Sequence, residues 1–239
     1  FPARLTMRSL LKASWVIGFD GRSHVYWRNG EVVFSGERIE FVGRGFQGHV
    51  DRTVDYGNAL IGPGLIDLDA LGDIDTGVLT LDNGDKRDNG RLWSEDYLRR
   101  GPTEVYSPEE EIFKYRYAFT HLIRNGITTA LPITSMYYRA WAETRAEFDG
   151  VAAVAGELGL RAYIGPCYMS GISYVRADRT IDQHWDEPRG LAGFEQAMQF
   201  MRDIHGSHGG RVRGLFAPDR IETCTPELLA RTAAARPAQ

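Results

Sequence analysis

The sequence predicts an α/β chain: an antiparallel β-rich opening segment, then four strand–helix units on a parallel sheet. Three observations carry this. Residues 10 to 56 hold a succession of short β-branched and aromatic runs separated by turn residues. From Leu60 onward, apolar strand-like runs alternate with stretches of helical periodicity. The chain has 239 residues, 43% hydrophobic and 25% charged, enough for one large core or two smaller ones.

The opening runs read LLKASWVIG, HVYWRN, EVVFSG, RIEFVG and RTVDY, from Leu10 to Tyr56. Asp20-Gly21, Asn29-Gly30 and Ser35-Gly36 supply turn chemistry between them, so hairpins of an antiparallel sheet are expected. A first domain is placed at residues 1–59 and a second at 60–239.

In the second domain the first strand is ALIGPGLID, Ala59 to Asp67. Its helix starts at Ser107, a cap, with Pro108 in the first turn and Glu110 completing a capping box. The helix presents Ile112, Tyr115, Phe119, Leu122 and Ile123 on one face, and Gly126 closes it. The second strand, GITTALPI, leads to an Ala-rich helix running through Trp141 to Leu158 and closed by Gly159. The third strand, LRAYIGP, precedes a helix from about Leu191 to Ile204 that buries Phe194, Met198 and Met201. The fourth strand is RVRGLFAP, and a last helix follows Thr225, with Pro226 in its first turn. Between the first strand and its helix lie roughly forty residues of Asp, Gly, Asn and Arg, a length that marks a functional or disordered loop.

Bulk properties exclude several classes. A formal charge of −4, with both signs interspersed, leaves no footprint for nucleic acid. No apolar stretch has the length needed to cross a bilayer, so no membrane role is expected. Lys12 interrupts the apolar run Leu10–Phe19 and no small-residue cleavage site follows, which argues against a signal peptide. The two cysteines, Cys167 and Cys224, are too few for a disulfide framework, and a reducing, cytoplasmic setting is expected.

The chemistry-bearing stretch is LIGPGLIDLDALGDID, Leu60 to Asp75, which carries Asp67, Asp69, Asp73 and Asp75. Carboxylates crowded past the end of a buried strand need a cation, hydrogen bonds or protonation to compensate them. One reading makes Asp69 a metal ligand, with Asp67 and Asp73 or Asp75 assisting. The other makes all four solvated or hydrogen-bonded loop carboxylates, since no histidine stands near.

Three further patterns are weighed. Gly43-x-Gly45-x-x-Gly48 has the spacing of a dinucleotide-binding fingerprint, but His49–Tyr56 alternates like a strand where a helix N-terminus is required beneath the phosphates. Asp82 through Gly90 has the spacing of a calcium loop, yet Arg87 falls on a ligand position, so a solvated loop is expected. His205 and His208 are read as a surface helix end, where imidazolium favours the dipole.

Four segments taken in order, IGPGLIDLDAL (Ile61–Leu71), NGITTALP (Asn125–Pro132), ELGLRAYIGP (Glu157–Pro166) and VRGLFAPDRIETCTPELL (Val212–Leu229), resemble the amidohydrolase superfamily. The likeness is to its cytosine-deaminase and chlorohydrolase-like branch. It implies β-sandwich strands followed by a partial (β/α)₈ barrel of four βα units. It also implies zinc or iron as cofactor and metal-activated water that hydrolyses a C–N bond of a small, nitrogen-rich cyclic substrate. In such a barrel the strand ends carry the site, which makes Asp219, Cys167, Tyr168 and Thr134 candidate substrate-binding residues. For the cysteines, a role as small buried hydrophobes competes.

The resemblance also has departures. Where the family reads His-x-His, this chain has Asp69-Ala70-Leu71, and a leucine cannot bind a metal. Asp219 stands where many relatives carry a substrate-facing His. Ligands from later strands are absent, so the chain reads as an N-terminal part, catalytically doubtful alone. Its open sheet edges call for a homo-oligomer or a complementary fragment. The alternative function is a non-catalytic relative used in binding or assembly.

Overall fold

The computed structural model describes residues 7–72, 93–100, 106–133 and 144–235. Asp73, Asp75, the Asp82–Gly90 pattern, Thr134 and Trp141 lie outside the described residues. The chain divides into two compact units, Phe1–Gly64 and Leu65–Gln239.

In the first unit, β1 (Arg8–Phe19) and β2 (His24–Ser35) pair antiparallel along their whole length, from Arg8 beside Ser35 to Phe19 beside His24. The turn between them is held by Asp20, whose Oδ1 accepts the Arg22 and Ser23 amides at 2.8 and 2.9 Å. Those bonds hold its carboxyl below the usual range. β3 (Arg38–Gly43) pairs antiparallel with β2. β4 (Arg52–Asp55) and β5 (Leu60–Ile61) both run parallel to β1. Leu10, Ala13, Val16, Val32 and Val33 form the buried face.

Two expectations are corrected here. Asn29-Gly30 is no hairpin turn but lies inside β2, with Asn29 at φ 50°. A Cβ on Gly30 would stand 2.5 Å from Val16 Cβ, so the glycine serves the close approach of two strands. The run at Arg52 is not a hairpin partner, because a connection longer than a tight turn carries it to the far side of β1 in parallel.

The expected strand Ala59–Asp67 is broken in two. Gly62, Pro63 and Gly64 are not in strand conformation, as a residue without an N–H between two glycines favours. β5 joins the sheet of the first unit, while β6 (Leu65–Leu71) opens the second.

The second unit continues with β7 (Trp93–Ser94), α1 (Glu95–Arg100), α2 (Pro108–Arg124), β8 (Ile127–Ile133) and α3 (Arg145–Leu158). Next come β9 (Arg161–Ile164), β10 (Cys167–Tyr168), the hairpin β11 (Gly171–Val175) and β12 (Ile181–Trp185), and α4 (Glu187–Ile204). β13 (Val212–Gly214), β14 (Ala217–Pro218) and α5 (Pro226–Ala234) end it. β6, β8, β9 and β13 form a parallel sheet in chain order. The α/β class is as expected; among the described residues the sheet is open, not a closed barrel.

Local signals explain most of the helices. Ser107 and Glu110 exchange the two bonds of a capping box at the start of α2. Tyr115 and Phe119 are fully buried, while Ile123, expected on that face, lies at its margin and is exposed. Thr144 caps α3, and Gly159 closes it at φ 78°. α4 begins before Leu191, because Asp186 accepts the Arg189 amide at 3.1 Å and Pro188 fits the first turn. Phe194 and Met201 are buried as expected and Met198 half so, and Phe200 is fully buried beside them. Thr225 caps α5 through the Leu228 amide.

Candidate functional site

At the C-terminal end of β6, Asp67 pairs with Ala130, and the register slips before Ala70 meets Pro132. The extra residue is a β-bulge, a device that re-aims side chains at strand ends. It leaves Leu68 and Asp69 exposed and Asp67 half-buried. Asp67 Oδ1 accepts the Asp69 amide at 3.0 Å, a local turn bond that compensates one of the carboxylates.

No group of three or more His, Cys, Asp or Glu that could hold a metal ion occurs among the described residues. Asp67 and Asp69 are two oxygen donors without a third partner, and zinc requires three protein ligands even at an open catalytic site. The donor set described here does not fit the family's metal.

The third and fourth units meet at β10 and β14, which pair in parallel with Cys167 beside Ala217 and Tyr168 beside Pro218. The two-residue breaks before them differ from the continuous strands expected. At the first break a Cβ on Gly165 would lie 1.8 Å from the Leu215 carbonyl oxygen, so only glycine permits the approach. The pairing brings Asp219 and Cys167 together, with Sγ 4.0 Å from Oδ1. The Asp219 amide donates to the Tyr168 carbonyl at 3.0 Å. Its Oδ2 accepts the Thr223 hydroxyl at 2.9 Å and faces Arg220 at 3.4 Å. The Asp219 side chain is only 10% exposed, and it folds the turn that follows β14.

Tyr168 is placed differently from Asp219 and Cys167. Its ring is 2% exposed and packs edge-on to Phe194 at 5.7 Å between centroids. Its hydroxyl lies 3.0 Å from Thr232 Oγ1, and burial pushes the phenol up to about 12. Tyr168 thus belongs to the buried cluster with Phe194 and Leu228, against which Cys167 packs half-buried. Cys224 is buried as a small hydrophobe would be, which raises its thiol.

A polar network nearby escaped sequence reading. Thr225 Oγ1 donates to Glu187 at 2.8 Å and lies 3.4 Å from the fully buried Ser170 hydroxyl. Ordinary capping signals at Thr225 and Asp186 place the ends of two helices, but only the fold brings those ends together.

Two of the weighed patterns resolve as packing. The Phe41 ring lies over Gly43 and the Phe46 ring over Gly48, at 2.9 and 2.5 Å from where a Cβ would stand. The glycines make room for aromatic rings, and β4 follows rather than a helix. The His208 ring occupies the space beside Gly156, with Nδ1 2.0 Å from a Cβ there, while His205 terminates α4.

No protein-family profile matches the chain. It is 29% identical over 206 residues to a 5-methylthioadenosine/S-adenosylhomocysteine deaminase of Natronomonas pharaonis, covering 85% of this chain and 41% of that protein. In structure it is similar to guanine deaminase from C. acetobutylicum with bound guanine, with TM-score 0.60, 17% identity and coverage of 93% and 48%. It is also similar to a mutant atrazine chlorohydrolase from Arthrobacter aurescens TC1 complexed with zinc and atraton. There the TM-score is 0.63 and the identity 20%, over 95% of this chain and 50% of that one. The chain thus spans half or less of the length of each of these relatives.

Proposed function

We propose, on the premise that this chain belongs to the amidohydrolase superfamily and matches the N-terminal part of its members, that it serves hydrolysis of a C–N bond in a small nitrogen-rich ring. The supporting observation is the similarity to a named nucleoside deaminase along 85% of the chain. The parallel order of β6, β8, β9 and β13 agrees with the first half of a (β/α)₈ barrel. In this reading the strands through β5 belong to the β-sandwich, a few residues beyond the boundary at 59 expected from the sequence, and β6 opens the partial barrel.

Asp219 and Cys167 are assigned to the substrate side, and Thr134 and Tyr168 remain candidates from sequence. The chlorohydrolase this chain resembles was solved with zinc, but Asp67 and Asp69 alone do not fit such an ion, so no step of the proposed hydrolysis is assigned to a metal. Asp69, Asp67 and Asp73 are the acidic residues of this stretch that such a site could draw on.

A second reading, a non-catalytic relative used in binding or assembly, is favoured by Asp69-Ala70-Leu71, which stands where the resemblance expects His-x-His. The test is ammonia release from S-adenosylhomocysteine, 5-methylthioadenosine and guanine, with and without added zinc. Release that rises with zinc supports the hydrolase. Binding of the same compounds without turnover supports the non-catalytic relative.

A further inference from the structure

The outer side of α2 differs from that of the helices after it. On its inner side Tyr115 and Phe119 are fully buried in one cluster with Ala70 and Ala130 of the sheet. On the opposite side Phe113 and Tyr117 are 63% and 48% exposed. Among the described residues, α3, α4 and α5 expose no large hydrophobic side chain. Their outer positions are polar or small, such as Asp149 and Glu157 on α3, or Gln196 and Gln199 on α4. Apolar residues scattered singly over a surface are ordinary, but two aromatic rings on one stripe of one helix are not scattered.

That stripe has a symmetry of its own. Glu110, Phe113, Tyr117, His121 and Arg124 follow one another at spacings of three, four, four and three, so they share one face, and all five are exposed. The spacing is the same read from either end about Tyr117, while the charge reverses. Acid stands at the start, where the capping box holds the Glu110 carboxylate, and base at the end with Arg124. A two-fold contact requires a surface complementary to itself. Turned antiparallel about Tyr117, the stripe sets Tyr117 against its own copy, Phe113 against the partner's His121, and Glu110 against the partner's Arg124. The two helix dipoles then also run in opposite directions. The Tyr117 and His121 rings already lie together, 4.5 Å between centroids, so part of the surface is ordered in advance.

We propose that the outer face of α2 is a contact surface for a second copy of this chain, joined as an antiparallel α2–α2 pair with Tyr117 on the two-fold axis. The reversal of charge about Tyr117 favours a second copy over an unrelated partner, because it matches the stripe to itself. The contact is small. Seventeen residues span about 25 Å of helix, less than a standard interface needs, so the dimer is weak, with a Kd of about 10–100 μM. No substrate takes part in this contact, so its test is independent of the hydrolase reading.

The test is sedimentation equilibrium of the full chain over a range of concentrations, as wild type and Tyr117→Glu, with circular dichroism to show that both are folded. Wild type should rise from 26.8 kDa towards twice that mass. Tyr117→Glu, which sets like charges against each other on the axis, should weaken the dimer at least about tenfold. Disulfide trapping reads the register. Tyr117→Cys should cross-link to itself under mild oxidation. Two copies of position 113 lie about 12 Å apart along the axis, beyond disulfide reach, so Phe113→Cys alone should not, while mixed with His121→Cys it should. Wild type controls for Cys167 and Cys224. A wild-type chain monomeric at about 200 μM would overturn the proposal and leave the stripe to another occupant. A dimer that Tyr117→Glu does not weaken would also overturn it, placing self-association elsewhere, as at the open sheet edges. So would a cross-link of Phe113→Cys to itself in place of one at Tyr117→Cys.

Discussion

The Thr225 hydroxyl donates to the Glu187 carboxylate across 2.8 Å, tying the first residues of α5 to those of α4. The same oxygen accepts the Leu228 amide as the helix cap. One side chain therefore satisfies a helix end and Oε1 of a carboxylate whose Oε2 is buried with no partner among the described residues.

Replacing Thr225 should be costly for both reasons. A lost cap costs about 1 kcal/mol, and a carboxylate left with less hydrogen bonding adds a similar amount. Thr225→Ala is expected to destabilise by about 2 kcal/mol in urea unfolding, and Thr225→Ser by much less. A change indistinguishable from zero in Thr225→Ala would show that the tie contributes nothing.

Gly165 marks a harder constraint. Most close neighbours of a glycine are side chains that can turn aside, but here the obstacle is the Leu215 carbonyl. Moving it would disturb the bond from the Leu215 amide to the Ile164 carbonyl, at 2.9 Å, which joins β9 to the end of β13. Gly165→Ala should cost about 3 kcal/mol or more, seen as a lowered urea midpoint or loss of soluble protein. A midpoint equal to wild type would mean that the two strand ends separate freely.

Acid should weaken the first unit through Glu31. The Phe46 amide at 2.8 Å, and then Lys12 at 3.1 Å, hold this carboxyl below its ordinary range. A lowered folded value stabilises above the unfolded pKa, and the contribution is lost as pH falls through the folded one. Wild type and Glu31→Gln should therefore differ by about 1 kcal/mol near neutrality, and the gap should shrink as pH falls below the ordinary carboxylate range. A gap independent of pH would show that packing, not charge, explains the difference.

The alternation of strands with capped helices was readable because each signal is local. Ser107 with Glu110, Thr225 with Pro226, and Gly159 fix helix ends through bonds to their own neighbours. What sequence reading missed depends on distant partners. Asn29-Gly30 has hairpin chemistry, yet its glycine answers to Val16 on the adjacent strand. The β11–β12 hairpin lacks a glycine in its turn. Arg179 takes the positive φ of 69° there, and Asp178 accepts the Thr180 amide and hydroxyl instead. At the site, strand order announced Asp219 and Cys167 as neighbours of one strand end. It could not tell that Tyr168 turns to the helices, because a two-residue strand shows no alternation of its own.

That orientation of Tyr168 makes an alkaline prediction. A phenol pushed up to about 12 by burial stabilises the fold below its unfolded value, and the contribution is lost as pH rises through the folded one. Exposed tyrosines ionise near 10, so Tyr168 should be among the last to do so. In Tyr168→Phe the Thr232 hydroxyl keeps its bond to the Leu228 carbonyl at 2.9 Å, so no buried donor is orphaned. The variant should lose less than about 1 kcal/mol at neutral pH. Its phenolate absorbance should differ from wild type only at the alkaline end of the titration. A difference already present near pH 10 would mean that the hydroxyl reaches water, as substrate contact by Tyr168 requires.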